Sequence, residues 1–195
     1  STRITGSSDV FDTLWQSQSG TMDRNMYSVN AGIDYFIDTR NNLTFSVVNR
    51  NMSFNSDGST FNTEYSGGDN LTRYFDRSSD GFRSINSFDY TLSYKHLFPQ
   101  KGREFTNDII YNTNAMETGN NITQQDFSGP ELEPTGDPSL QKNTANNSNK
   151  AITIQGNYIY PMEEKFGRIE AGYKASIRDM SMRYNYSYYN DTSGW

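Results

Sequence analysis

Residues 82–98, FRSINSFDYTLSYKHLF, alternate between two kinds of side chain, and this pattern constrains the fold more than any other feature of the sequence. Every second residue toward the end of the stretch is apolar, aromatic or histidine, and the residues between them include Arg83, Asp89 and Lys95. A period of two is that of a β-strand, whose successive side chains point to opposite faces. The stretch also exceeds the length of about 5–6 residues that is typical of strands in soluble proteins.

The same alternation recurs along the chain, at 26–37, 43–47, 104–116, 152–160 and 169–177. The connections alternate between short turns, at 38–42, 99–103 and 161–167, and longer polar stretches, at 55–81 and 117–150. Strands joined by short turns form antiparallel hairpins. The sequence therefore predicts an all-β, antiparallel up-and-down meander of long strands, with the short turns at one rim and two long loops at the other.

The N-terminal part and one later position interrupt this pattern. Residues 1–22 are polar and are predicted to be an irregular lead-in, with a possible strand near 10–18, before a β-barrel segment over 23–195. After Val47 the apolar residues change parity, so that Met52 and Phe54 continue on the other one. A β-bulge at Val47–Val48 is predicted to absorb this change.

Composition excludes several classes of protein. Hydrophobic residues make up 33% of the chain and aromatic residues 14%, and the mean hydropathy is −0.86. The formal net charge of −6, without a basic run, argues against nucleic-acid binding. The chain has no cysteine, and the sequence predicts no cofactor and no metal site. The chain has no run of about 18 apolar residues, so no membrane-spanning helix is predicted. This criterion does not detect strands that cross a membrane, because their apolar residues alternate with polar ones.

The two faces of the predicted strands suit two different surroundings. Near the short turns, the apolar face carries aromatic residues that fit a membrane–water boundary, namely Tyr35, Tyr94, Phe98, Phe105, Tyr158 and Tyr160. The other face carries charged residues predicted to line a water-filled lumen, namely Asp34, Asp89, Lys95, Asp108, Glu170, Lys174 and Arg178. Ala171 is predicted to lie at mid-band on the lipid face. The same alternation fits a soluble β-sandwich or small barrel acting as a binding module, and this alternative stays open.

Three hairpins carry a resemblance to a known family: 28–46 (SVNAGIDYFIDTRNNLTFS), 88–108 (FDYTLSYKHLFPQKGREFTND) and 157–180 (NYIYPMEEKFGRIEAGYKASIRDM). They resemble the barrel of TonB-dependent outer-membrane receptors, in particular the outer membrane protein beta-barrel family. The resemblance implies a segment of a transmembrane β-barrel in the outer membrane of a Gram-negative cell. It further implies TonB-energised import of a scarce solute, with the remaining barrel strands, a plug domain, TonB and outer-membrane lipid as partners.

Few residues suggest chemistry. His96 is the only histidine and lies beside a short turn, so no enzymatic activity is expected. Four aromatic residues in the predicted outer loop 55–81 are candidates for contact with an extracellular solute that the sequence does not identify: Phe61, Tyr65, Tyr74 and Phe75. They could equally pair with each other across an extended hairpin. An adhesin or structural barrel is a third function that the sequence leaves open.

Overall fold

The chain forms one antiparallel sheet of long strands in a computed structural model that describes residues 2–7, 10–66, 70–128, 132–162 and 167–189. The strands are β1 (Thr2–Ser7), β2 (Val10–Phe36), β3 (Asn41–Ser66), β4 (Asn70–Leu97), β5 (Glu104–Ser128), β6 (Glu133–Pro134), β7 (Ser139–Pro161) and β8 (Arg168–Tyr188). Each long strand pairs with its neighbours in the order β1-β2-β3-β4-β5-β7-β8, and the short β6 pairs with the end of β5. The predicted all-β meander is confirmed.

The strand connections gather at two ends of the sheet. At one end, 37–40 joins β2 to β3, 98–103 joins β4 to β5 and 162–167 joins β7 to β8, and residues 163–166 of the last lie outside the described part of the chain. At the other end, strands β3 and β4 are separated only by 67–69, and β5 and β7 by 129–138. Within the described residues no helix is long and apolar enough to cross a membrane.

The prediction of long loops at 55–81 and 117–150 is wrong. Both are strand for most of their length, because β3 and β4 pair from Asn41↔His96 out to Ser66↔Asn70, and β5 pairs with β7 as far as Gln124↔Ser139. Backbone hydrogen bonds of a ladder do not depend on side-chain polarity, so strands that are polar on both faces lack the alternation by which a sequence reveals a strand. The irregular lead-in at 1–22 is likewise mainly strand, because it contains β1 and the first part of β2.

The predicted bulge at Val47–Val48 is also wrong. Strand β3 keeps one register against both neighbours through this region, and its single irregularity lies between Glu64 and Tyr65. Met52 and Phe54 therefore point to the face opposite Phe45 and Val47. The apolar residues change face along a regular strand, and this change divides the sheet into two regions.

The inner region is the apolar band, comprising residues 29–36, 42–49, 88–97, 104–113, 150–160 and 169–179, which are paired across the sheet. Its segments of 8 to 11 residues are close to the about 9–11 residues that a strand needs to cross hydrocarbon. The second region is the outer extension, comprising 13–26, 52–66, 70–85, 116–128, 139–147 and 182–188. Since a strand rises about 3.3 Å per residue, the extension adds roughly 50 Å of paired strand to β4.

Candidate functional site

The two faces of the apolar band differ in side-chain character across its whole width. Cross-strand partners point to the same face, so each set of partners forms a row across the sheet. One such row contains Ile33, Phe45, Leu92, Ile109, Ile154 and Ala175. On the interior strands β4, β5 and β7, Leu92, Ile109 and Ile154 still expose 38%, 43% and 41% of their surface. The described part of the chain therefore leaves this face uncovered, and contact with lipid requires an uncovered face.

Aromatic residues mark the end of this face nearest the short turns. Tyr35, Tyr94, Phe105, Tyr158 and Tyr160 share its parity, and the Phe98 ring packs edge-on against Tyr158 at 5.9 Å. Arg103 holds part of this cluster together: its guanidinium lies 4.3 Å from the centroid of Phe98, and its Nε donates to the Tyr158 hydroxyl at 2.7 Å. The predicted girdle residues therefore share one side of the sheet, and their position at a membrane boundary stays a prediction.

The first short turn is organised by Asp38. The backbone N–H groups of Arg40 and Asn41 donate to its Oδ1 at 2.7 and 2.9 Å, and Asn41 Nδ2 donates to its Oδ2 at 2.6 Å. The hydrogen bond from the Arg40 backbone, followed by that from the Asn41 side chain, holds the pKa of Asp38 below its ordinary value. Asn41 Oδ1 also lies 2.6 Å from His96 Nδ1, so the single histidine takes part in turn contacts.

The charged residues predicted to line the lumen all lie on the second face. Asp34, Asp89, Lys95, Asp108, Glu170, Lys174 and Arg178 share one parity in the register of the sheet. Several make cross-strand contacts: Asp89 accepts from Asn112 Nδ2 at 2.6 Å and pairs with Arg50, while Lys95 Nζ lies 2.8 Å from Glu104 Oε2. This face is thus polar and internally connected, and the lumen assignment stays a prediction.

The four candidate ligand aromatics lie at the far end of the extension and do not form one surface. Phe61 and Tyr74 pack against each other across β3 and β4 with centroids 6.2 Å apart. Phe75 points to the other face, where the guanidinium of Arg73 lies 4.6 Å from its ring centroid. Tyr65 follows the irregularity in β3. The contacts favour pairing across an extended hairpin, and a contact of these residues with a solute stays a prediction.

One feature of the extension was not predicted from the sequence. It lies where the extension meets the apolar band, on the same face as the charged residues of the band. A single row contains Met26, Met52, Ile85, Met116, Asn147 and Met182, and is called the methionine row here. The next row outward contains Arg24, Phe54, Arg83, Thr118, Ala145 and Tyr184 and is called the arginine row. Parity within each strand could have placed these residues on the charged face, had 117–150 been recognised as strand and β3 been treated as regular through Val47–Val48.

In the apolar band, one face of the antiparallel sheet is apolar and the other is polar, which is the pattern of the wall of a transmembrane β-barrel. The model of the outer membrane protein beta-barrel family matches residues 96–195. The chain belongs to this family and is a protein of the outer membrane. No curated protein matches the chain.

Proposed function

We propose that the chain is part of a receptor that imports a scarce solute across the outer membrane with energy supplied through TonB. The observation that carries the proposal is the second face of the sheet, which bears charged side chains from the Lys95–Glu104 ion pair out to the arginine row, with the methionine row just inside that end. A wall with charged side chains over most of its height suits a wide, wet interior. Such an interior can hold a plug and pass a solute, and this function needs no enzymatic activity.

The unpaired edges of the sheet indicate what completes the barrel. In the described residues, β8 pairs only with β7, and β2 beyond Trp15 pairs only with β3. Unpaired backbone groups are not viable in hydrocarbon. We therefore infer that further strands of the same protein complete the barrel.

The experiment compares solute uptake by cells that carry or lack tonB, with the full-length protein expressed in both. Import is expected to require both the protein and TonB, whereas the amount of folded protein in the outer membrane is expected to be equal in the two strains. Uptake that persists without TonB would contradict active import. No uptake in either strain, together with cell adhesion that depends on the protein, would favour an adhesin.

A further inference from the structure

The methionine row and the arginine row together create a surface that is both apolar and positively charged. The methionine row supplies four thioether side chains and Ile85, and the arginine row adds Phe54 between Arg24 and Arg83. Thioethers are polarisable and adaptable, and they recur at surfaces that accept varied apolar ligands. Such a surface is unusual on a face that elsewhere carries mainly Ser, Thr, Asn and charged residues.

The positive charge near the methionine row is only partly neutralised. Arg50 and Arg178 lie on the same face on its inner side, where Asp89 pairs with Arg50. Within the described part of the chain, Arg24 and Arg83 form no ion pair with a carboxylate. Their guanidinium groups instead contact soft partners: Arg83 Nη2 lies 3.0 Å from Met116 Sδ, and Arg24 lies 5.4 Å from the centroid of Phe54.

The opposite face of the extension is negatively charged on balance, although Lys142 and Arg183 also lie on it. Asp23, Asp57, Asp76 and Asp80 all point away from the methionine and arginine rows. The net charge of −6 for the whole chain therefore conceals a sorting of charge between faces. A negatively charged solute would be attracted to one face of this wall and repelled by the other.

We infer that the solute is a small amphiphilic anion, with an acidic group and an apolar or aromatic part, that binds at the methionine and arginine rows. The guanidinium group of Arg24, over Phe54 on β3, or that of Arg83, against Met116 on β5, binds the acidic group, since arginine can donate two parallel hydrogen bonds to a carboxylate, sulfonate or phosphate. The methionine side chains and Phe54 pack against the apolar part. A soft metal cation fits less well, because Arg83 already places its positive charge against Met116 Sδ.

This inference rests on the proposed function for its biological meaning, but it is tested by binding alone. The full-length protein in lipid nanodiscs is titrated calorimetrically with naphthalene-2-sulfonate, with 2-naphthylmethylammonium as a cation of similar shape and with sulfate as an anion without an apolar part. Empty nanodiscs supply the background. Naphthalene-2-sulfonate is expected to bind most tightly, and its affinity is expected to fall with added salt.

Matched variants locate the binding surface. The double variant R24Q/R83Q removes both positive charges but keeps polar side chains, and it is expected to weaken naphthalene-2-sulfonate binding about tenfold or more. The control is R183Q, because Arg183 pairs with Asn146 on the opposite face at nearly the same height, and no change in affinity is expected. M52Q/M116Q should weaken binding of naphthalene-2-sulfonate but not of sulfate, whereas M162Q, in the distant 162–167 connection, should change neither.

Several outcomes would overturn the inference. Equal binding of the anionic and the cationic naphthalene, absence of sulfonate binding to the unaltered protein, or equal losses in R24Q/R83Q and R183Q would each do so. Heat-modifiable migration in gels checks that the variants are assembled, which is expected because Arg24 and Arg83 are exposed. Failure of TonB-dependent uptake with intact sulfonate binding would remove the proposed function and leave the binding surface in place.

Discussion

The apolar band and the outer extension are built by the same strands and the same hydrogen-bond ladder, but their side chains are arranged in opposite ways. In the band, the face of Leu92 and Ile109 is apolar and the face of Asp89 is charged. In the extension, the continuation of the first face carries aspartates, whereas the continuation of the second carries methionines and arginines. Because the backbone is continuous, the change is the one expected where the surroundings change from hydrocarbon to water.

The two regions also derive their stability from different sources. In hydrocarbon, an unpaired backbone group costs several kcal/mol, so the ladder itself resists opening, at roughly that scale. In water an opened ladder is solvated, and the extension depends on side-chain pairs such as Phe61–Tyr74 and the ion pair Arg73–Asp126. Such cross-strand pairs contribute about 0.2–1 kcal/mol each. The extension should therefore open locally while the band stays closed.

The largest effect is expected from a charge on the lipid face of the band. Leu92→Arg places a guanidinium at the middle row of that face and should destabilise the barrel by about 2–4 kcal/mol. Thr91→Arg is the matched control, because Thr91 is the adjacent residue on the polar face and should cost little. The measurement is urea unfolding of the full-length protein in lipid vesicles. Equal destabilisation by the two variants would mean that the faces are assigned wrongly.

A smaller and local effect is expected in the extension at Gly119. The Phe82 ring covers this glycine, and a Cβ added at Gly119 would lie 2.9 Å from Cζ of that ring. Gly119→Ala should displace the ring into water and cost about 1–2 kcal/mol of local stability. The measurement is hydrogen exchange along β4 and β5.

The double variant F82A/G119A is the control for this prediction. Without the ring, the added methyl group has nothing to displace, so G119A should cost less in the F82A background than alone. Equal costs in both backgrounds would show that the ring does not depend on the glycine.

A pH-dependent effect is expected at the end of the sheet with the short turns, where Asp38 caps the 37–40 turn. Because hydrogen bonds lower the folded-state pKa of Asp38, its stabilising contribution is present above the unfolded-state pKa and is lost as pH falls through the folded-state pKa. Amide exchange of the 37–41 segment, corrected for the intrinsic pH dependence of exchange, should accelerate in acid. Asp38→Asn should abolish this pH dependence; if the dependence remains unchanged in that variant, another group is responsible.

The smallest effect on assembly is expected from shortening a hairpin of the extension. Asn121 and Lys142 are cross-strand partners on β5 and β7, so residues 122–141 can be replaced by a tight Asn-Gly turn. This change leaves the apolar band and the methionine row paired as before. Heat-modifiable migration of the full-length protein should be unchanged, and a failure to assemble would show that the extension is needed to form the barrel.

The sequence predicted the band well and the extension poorly. Alternation of apolar and polar residues placed the girdle residues on one face and the charged residues on the other, as the register shows. The depth of Ala171 was misjudged, because it pairs with Tyr158 in a row near the short turns, whereas Ala175 lies in the row of Leu92 and Ile109. Depth depends on how neighbouring strands are staggered, which one strand cannot reveal.

What the sequence determined by itself was the existence of strands with two chemically different faces, because a period-two pattern appears wherever one face is apolar and the other polar. Only the tertiary structure decided that pairing continues through 55–66 and 70–81, that β3 has no bulge at Val47–Val48, and that methionines from four strands fall in one row. The physical reason is that ladder hydrogen bonds come from the backbone and register is fixed between strands. Neither the pairing nor the register can be predicted from the side-chain alternation of a single strand that is polar on both faces.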